Sequence, residues 1–184
     1  MTIEDTLELN FELPNSVRLE SRKNLVTKNE WVKVRDLVKN ALRMRPDRII
    51  IGETRGAELF DLLQAVNTGH EGSMSSVHAN SPRECLSRLE TLFLMAGFDV
   101  PLRVVRKQLC DGFDLIIQLG RNKEGARVVT EITEIGDMEG ETILSTPLAK
   151  WSENKLTATG FVSNKLGLME ERAGLAKNFF HKLK

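Results

Sequence analysis

A carboxylate, Glu53, follows directly after the apolar stretch 49–52, and Arg55 lies two residues beyond it. The stretch is short, β-branched and apolar, which is typical of a buried parallel strand. A carboxylate at the carboxyl end of such a strand faces the crevice where open α/β sheets bind ligands. In nucleotide hydrolysis, a residue at this place orients the attacking water or holds a hydrated Mg²⁺. The alternative interpretation, an ordinary polar strand end in which Glu53 pairs with Arg55 or Arg45, remains open.

Two of the three histidines, His70 and His78, lie close together in a segment that also contains Gly69 and Gly72. Glycines allow a ligand to approach the backbone closely. For each histidine considered alone, the alternative to a functional role is an ordinary core or loop residue. His78 lies at the end of a second predicted strand, which favours a functional role for it. Metal-dependent hydrolysis through Glu53, His70 and His78 is a third hypothesis, although the sequence offers no ligand set with a recognisable spacing.

A further carboxylate, Glu4, follows the apolar Ile3 near the start of the chain. Together with Asp5 it lies just beyond a predicted strand end, as Glu53 does. Because Asp and Glu also serve as ordinary turn formers, this pattern alone predicts either a ligand-facing carboxylate or a turn.

The elements that must position these residues alternate between strand and helix. Apolar residues at intervals of three and four predict the helices. Ser81, Pro82 and Glu84 form a helix start with a capping serine, a first-position proline and a capping-box glutamate. The alternation predicts an α/β sheet with helices packed on it. The predicted order is helix 34–44, strand 48–52, helix 59–66, strand 73–78, helix 82–96 and helix 101–109.

After Cys110 the pattern changes from helical to strand-like. Short β-rich runs, separated by turns that contain glycine, predict antiparallel strands after the α/β part. Residues 160–184 are polar and moderately helical in pattern. We therefore expect a domain over residues 1–150 and a carboxyl-terminal extension over residues 151–184. The predicted antiparallel strands are 113–119, 126–135 and 141–145.

The composition is that of an ordinary globular protein. The 184 residues are 41% hydrophobic, and 26 basic residues balance 26 acidic ones. This balance argues against a nucleic-acid binder that works by a basic excess, so we expect no nucleic-acid partner. No apolar window approaches the roughly 18 residues that a membrane-spanning helix needs, and no secretory signal is apparent. Cys85 and Cys110 lie in predicted helices as free thiols, which favours a reducing compartment and hence the cytoplasm.

Three segments together resemble the signature boxes of the secretion ATPases, the superfamily that powers type II and type IV secretion and type IV pilus assembly. TIEDTLEL is similar to the Asp box, ALRMRPDRIIIGETRGAE to the Walker B region, and TGHEGSMSSVHANSPRECLSRLE to the His box. The boxes occur in the family's order and at family-like separations. The segments VRLESR, LVKNALRMRPDRIIIGETRG and VTEITEIGDMEGE are most similar to the tight-adherence (Flp) pilus assembly ATPases, which are called CpaF-like. The resemblance extends from the first residues to about Trp151.

The resemblance implies roles for individual residues. Glu4 matches the Asp-box glutamate and Glu53 the Walker B glutamate, which implies that both act in catalysis and in binding ATP with its Mg²⁺. His70 and His78 match the two catalytic His-box histidines, and His78 is the one expected nearer to the phosphates. Arg55 follows the Walker B glutamate as in the family, and we expect it to order the carboxylates beside the nucleotide.

The resemblance also implies a fold and partners. The expected fold class is α/β, a RecA-like P-loop NTPase core that is truncated before the Asp box and followed by antiparallel strands. The expected cofactors are ATP and Mg²⁺. The expected assembly is a homo-oligomeric, hexameric ring, in which Arg18 and Arg22 are candidates for contacts across a subunit boundary. The ring is expected to couple to an inner-membrane platform protein of pilus assembly or secretion, peripherally at the cytoplasmic face of that membrane.

The phosphate-binding loop of the family is missing from this sequence. That loop has the pattern G-x-x-x-x-G-K-[ST], whose amides cradle phosphate and whose Lys and hydroxyl serve phosphate and Mg²⁺. Gly120 and Gly125 have the right separation, but Ala126 and Arg127 follow them. We therefore expect the carboxyl-terminal portion of a longer motor ATPase, cut just before the Asp box and inactive by itself. A non-hydrolysing structural or regulatory homologue of such an ATPase is the alternative.

Overall fold

The structure of the chain is a computed structural model that describes residues 1–22, 32–165 and 167. Its first half contains a four-stranded parallel sheet in the order β2-β1-β3-β4. The strands predicted at 48–52 and 73–78 are both present, each with two residues in the ladder. Because both strands are so short, loops form most of the carboxyl edge of the sheet. The strands are β1 (Thr2–Glu4), β2 (Arg18–Glu20), β3 (Ile50–Ile51) and β4 (Met74–Ser75).

The described residues contain four helices, of which the first two pack against this sheet. The helix predicted over 34–44 is confirmed with the same bounds. The start predicted at Ser81 is also confirmed, because its hydroxyl accepts a hydrogen bond from the N–H of Glu84 and Pro82 is the first helical residue. The helices are α1 (Val34–Met44), α2 (Glu58–Val66), α3 (Pro82–Met95) and α4 (Leu102–Gly112).

The second half forms a four-stranded antiparallel sheet in the order β5-β6-β7-β8. The predicted α/β class with antiparallel strands after the parallel part is therefore confirmed. The last hairpin was not predicted, because its turn contains no glycine or proline: Glu153 and Asn154 both adopt positive φ, 49° and 62°, as the favoured two-residue hairpin turn requires. The strands are β5 (Leu115–Arg121), β6 (Arg127–Glu139), β7 (Thr142–Ser152) and β8 (Lys155–Ala158).

The predicted boundary at residue 150 falls inside β7, and β8 pairs back onto β7 from the other side of it. The strand is longer than predicted because it continues through Pro147, where the pairing with β6 is irregular and a proline is tolerated. Most of the segment 160–184, with its predicted helical character, lies outside the described residues. The division into a domain and an extension stays a prediction.

The two glycines with the spacing of a phosphate-binding loop lie in the β5–β6 hairpin. Gly120 is a residue of β5, and Gly125 ends the turn with φ +81°. Asn122 closes this turn, since its side-chain oxygen accepts the N–H of Ala126 at 2.8 Å. A strand, and not a helix, follows the second glycine, so the segment cannot present a helix N-terminus to phosphate.

The core fills the space between the parallel sheet and the helices. Ile3, Ile49 and Ile51 are buried against α1 and α2, and Phe93 joins α3 to α2 and α4 in a second cluster. Cys85 and Cys110 are free and buried, as predicted. None of the helices among the described residues is both long and apolar enough to cross a membrane.

Candidate functional site

Glu53 lies two residues after β3, at the carboxyl edge of the parallel sheet, with 19% of its side chain exposed. The Arg55 guanidinium donates a hydrogen bond to its Oε2. Nε2 of His78 lies 3.3 Å from its Oε1. His78 comes from the loop after β4, the neighbouring strand, so the two loops together hold both carboxylate oxygens of Glu53. The structure thus brings together three of the residues that the sequence singled out.

The charges around Glu53 favour its ionised form. The hydrogen bond from Arg55 lowers the pKa of Glu53, and burial opposes this only in part. The positive charges of Arg55, His78 and Arg88 lower it further. The same contact raises the pKa of Arg55. Glu53 is therefore a carboxylate at neutral pH, paired with the guanidinium of Arg55.

Glu4, the last residue of β1, lies on the strand beside β3 and is 2% exposed. Its Oε2 accepts hydrogen bonds from the N–H groups of Glu8 and Leu9, both at 2.7 Å. Its Oε1 is buried and has no hydrogen-bond partner within the described residues. A buried carboxylate oxygen without a donor is costly, and it is the kind of atom that a cation or a water can satisfy.

The loop that carries Glu53 is fixed to the loop after β4 by polar contacts. The N–H of Thr54 donates to the carbonyl oxygen of Ser76 at 2.9 Å, and its buried hydroxyl lies 2.7 Å from Oγ of Ser75. Ser76 in turn donates from its hydroxyl to the carbonyl oxygen of Gly52 at 2.5 Å. These contacts hold the backbone on both sides of Glu53, which limits how far its carboxylate can move.

His70 has a different environment from His78. Its ring Nδ1 lies 3.2 Å from the carbonyl oxygen of Ala65, near the end of α2. The backbone N–H of His70 also donates to that oxygen. This contact caps the helix, so a positioning role for His70 is as consistent with the geometry as a catalytic one. Among the described residues, no group of three His, Cys, Asp or Glu side chains could hold a metal ion. The hypothesised metal set of Glu53, His70 and His78 is therefore not formed.

Arg18 and Arg22 lie away from Glu53, on and after the edge strand β2. Both are exposed, and the backbone of Arg22 forms an isolated antiparallel bridge with Val32. Neither guanidinium has a hydrogen-bond partner within the described part of the chain. A contact across a subunit boundary stays a prediction for both.

Three residues of the site were missed by sequence reasoning. The sequence predicts Ser76 only as part of a strand. Glu58 accepts hydrogen bonds from the backbone N–H groups of Arg55 and Gly56 at 2.6 and 2.7 Å. Its place at the start of a helix indicates such a capping role. Arg88, on α3, lines a cavity of about 390 Å³ with His78 and Asn80, and no spacing in the sequence indicates that contact.

Comparisons with known proteins relate the chain to secretion system proteins. The family model for type II/IV secretion system proteins matches residues 1–149. A Mycobacterium tuberculosis protein named for conjugal transfer is 43% identical over 138 residues, which cover 75% of this chain and 39% of that protein. The type IV secretion system protein VirB11 of Bartonella henselae is 37% identical over 137 residues, 72% of this chain and 37% of that protein.

A solved structure shares the fold. The crystal structure of the VirB11 ATPase from the Brucella suis type IV secretion system, in complex with sulphate, matches with a TM-score of 0.61 and 30% identity. The match covers 71% of this chain and 38% of that chain. The chain thus spans about two fifths of the length of these relatives.

Proposed function

Because the chain belongs to the family of type II/IV secretion system proteins, we propose that it carries the water-orienting part of an ATP-hydrolysing motor. The observation that carries the proposal is the arrangement of Glu53, whose two carboxylate oxygens are held by Arg55 and His78 at the carboxyl edge of the parallel sheet. A fold shared with a VirB11 ATPase supports it.

In this proposal Glu53 acts through its charge and its position. A carboxylate with a lowered pKa is a poor acceptor of a proton at neutral pH, so its main contribution is to orient the attacking water by accepting a hydrogen bond. Arg55 holds the carboxylate in one rotamer. His78 is largely exposed beside it, where it can donate a hydrogen bond to a terminal phosphate oxygen.

The donor set also fits Mg²⁺. Carboxylate oxygens are hard ligands of the kind that Mg²⁺ prefers, often through its waters. Oε1 of Glu4 is buried without a donor, and Glu53 lies at the end of the adjacent strand. We therefore assign both residues to the hydrated Mg²⁺ of a bound ATP, where the ion supplies charge neutralisation on the phosphates.

The finer parts of the proposal follow the family resemblance. The motor is proposed to act as a hexameric ring, with Arg18 and Arg22 at the boundary between subunits. It is proposed to work on a pilus or secretion platform, peripherally at the cytoplasmic face of the inner membrane. The similarity of VRLESR and VTEITEIGDMEGE to the tight-adherence pilus ATPases favours pilus assembly as the process.

The second candidate function is a non-hydrolysing homologue that contributes structure or regulation to such a ring. It is compatible with the hydrogen bond from Arg55, which occupies one carboxylate oxygen of Glu53. In that case the Glu53–Arg55 contact serves only to stabilise the loop. The two functions differ in whether the carboxylate at position 53 affects turnover or only stability.

The experiment uses a polypeptide in which this chain is joined to a segment with a phosphate-binding loop. We expect Glu53→Gln to lower kcat for ATP hydrolysis by about 10²-fold or more, with nucleotide affinity changed only a few-fold. Glu4→Gln and His78→Ala should lower kcat less. Glu124→Gln makes the same chemical change in the exposed β5–β6 turn and should leave kcat unchanged.

Two results would contradict the hydrolytic proposal. One is a folded wild-type polypeptide that binds ATP but shows no Mg²⁺-dependent phosphate release, which would favour the non-hydrolysing homologue. The other is a loss of activity in Glu53→Gln that is matched by a loss of ATP binding or of folded protein. Nucleotide titrations and melting curves on the same samples distinguish them.

A further inference from the structure

The antiparallel sheet β5–β8 packs only one of its faces against the helices. Ile116, Ile135 and Ile143 lie on that inner face, in contact with the clusters around α3 and α4. Because side chains alternate along a strand, the neighbours of Ile116 in β5 point to the opposite side. This second side, which we term the outer face, carries no helix within the described residues.

The outer face is unusually apolar for a surface exposed to water. In β5, Leu115, Ile117 and Leu119 are 40%, 56% and 62% exposed. Ile117 lies opposite Ile132 of β6. The apolar character continues to the far edge of the sheet, where Trp151 lies opposite Leu156. An apolar patch that reaches all four strands is typical of a surface that another segment covers.

The chain itself returns to this face after β8. Asn164 donates its N–H to Oε1 of Glu134 at 3.1 Å, and Glu134 lies opposite Leu115 on the outer face. Lys165 forms an ion pair with Asp114, the residue before β5. Residues 163–165 therefore lie at the outer face, beside the start of β5.

The sequence beyond this point has the pattern of a covering helix. Six of its apolar residues recur at intervals of three and four, the spacing of an amphipathic helix, and Leu168, Leu175 and Phe179 widen this apolar stripe on one side. A helix of 19 residues is about 28 Å long, whereas four strands span about 15 Å and seven residues of a strand about 23 Å. The length is therefore sufficient to cross the whole face. The stripe consists of Leu166, Met169, Ala173, Ala176, Phe180 and Leu183.

We propose that residues 166–184 bind the outer face of the β5–β8 sheet through this apolar stripe. The contacts of Asn164 and Lys165 place the start of the segment at the edge of the face, so binding is intramolecular and needs little further loop closure. The inference does not depend on ATP hydrolysis.

The experiment measures the labelling rate of a thiol on the outer face of the full chain. Ile117→Cys places that thiol on the outer face of the edge strand β5. Cys85 and Cys110 are buried. Their labelling rate, measured in the chain without the introduced cysteine, is subtracted from the rate of each variant. Met95→Cys is the control for an uncovered position, because Met95, the last residue of α3, is 77% exposed. We expect Cys labelling at position 117 to be at least about tenfold slower than at position 95.

A pair of matched variants identifies the covering segment. Met169→Asp with Phe180→Asp places two charges on the apolar stripe and should raise labelling at position 117 about tenfold or more. Gly174→Asp with Asn178→Asp adds the same two charges on the opposite side of the predicted helix and should leave the rate unchanged. Circular dichroism checks that each variant remains folded.

Two outcomes would overturn the proposal. Fast labelling at position 117 in the parent chain, equal to that at position 95, would mean that nothing covers the face. Protection that increases with protein concentration and persists in the Met169→Asp, Phe180→Asp variant would assign the face to a second copy of the chain. Protection that is independent of concentration and lost only in the stripe variant supports the segment.

Discussion

A Cβ atom on Gly52 would lie 2.9 Å from Cγ of Glu4 on the adjacent strand. The two residues face each other because the N–H of Gly52 donates to the carbonyl oxygen of Ile3 at 2.9 Å, which fixes the register of β3 against β1. The glycine before Glu53 thus leaves room for the side chain of Glu4. The absence of a side chain at position 52 lets two carboxylates occupy neighbouring strand ends.

Gly52→Ala should therefore disturb Glu4 specifically. The contacted Cγ lies in the middle of the Glu4 side chain, whose Oε2 is held by two backbone N–H groups, so it cannot move away without losing those bonds. We expect a loss of about 1–3 kcal/mol in the free energy of unfolding, measured by urea denaturation. Gly56→Ala is the matched control, because the nearest atom there is the flexible end of Glu58 at 3.4 Å. Equal stability of both variants would contradict the steric argument.

The sequence predicted the elements of this site better than their contacts. Helix α1 and the start of α3 depend on local signals, namely apolar spacing and the Ser81–Pro82 cap, which are readable from neighbouring residues. The contact between Glu4 and Gly52 depends on strand register. Register is set by tertiary packing across 48 positions of sequence, and no local pattern encodes it.

The histidines illustrate the same limit. The sequence placed His70 and His78 in one box, since they are close along the chain. The structure separates their environments, with His78 beside Glu53 and His70 at the end of α2. Which ring contacts the carboxylate depends on where the chain turns between α2 and β4. The side chain of Arg88 approaches the same region from α3, a helix whose orientation no local signal specifies.

A half-buried ion pair joins α1 to α2. Nε of Arg35 lies 2.6 Å from Oδ2 of Asp61, which is 6% exposed. Asp61→Asn keeps the shape but removes the charge that accepts this bond, and we expect a loss of about 1–3 kcal/mol in stability. Asp111→Asn breaks the exposed pair with Lys107 and should cost less than about 0.5 kcal/mol. Chemical denaturation measures the free energy of unfolding of both variants. A larger loss in Asp111→Asn than in Asp61→Asn would show that burial does not cause the difference.

Arg55 should control the ionisation of Glu53. Since the hydrogen bond from Arg55 is the largest cause of the lowered pKa, Arg55→Ala should raise the pKa of Glu53, as followed by ¹³C NMR of the carboxyl carbon. Arg45→Ala is the control, because the sequence also suggested Arg45 as a partner of Glu53 and the two have no contact in the structure. An unchanged pKa in Arg55→Ala, or a rise in Arg45→Ala, would show that the partner has been assigned incorrectly.

The lowered pKa of Glu53 also predicts how stability depends on pH. Its ordinary value is 4.5, and the folded value lies below this. A group with a depressed folded pKa stabilises the protein above its unfolded pKa, and this contribution is lost as the pH falls through the folded pKa. The wild type should therefore melt at a higher temperature than Glu53→Gln at pH 6–7, and the gap should close as the pH falls below about 4.5. Glu124→Gln, in the exposed turn, should show no gap at any pH. Thermal melts followed by circular dichroism measure both, and a gap that widens in acid would mean that Glu53 is not stabilised as a carboxylate.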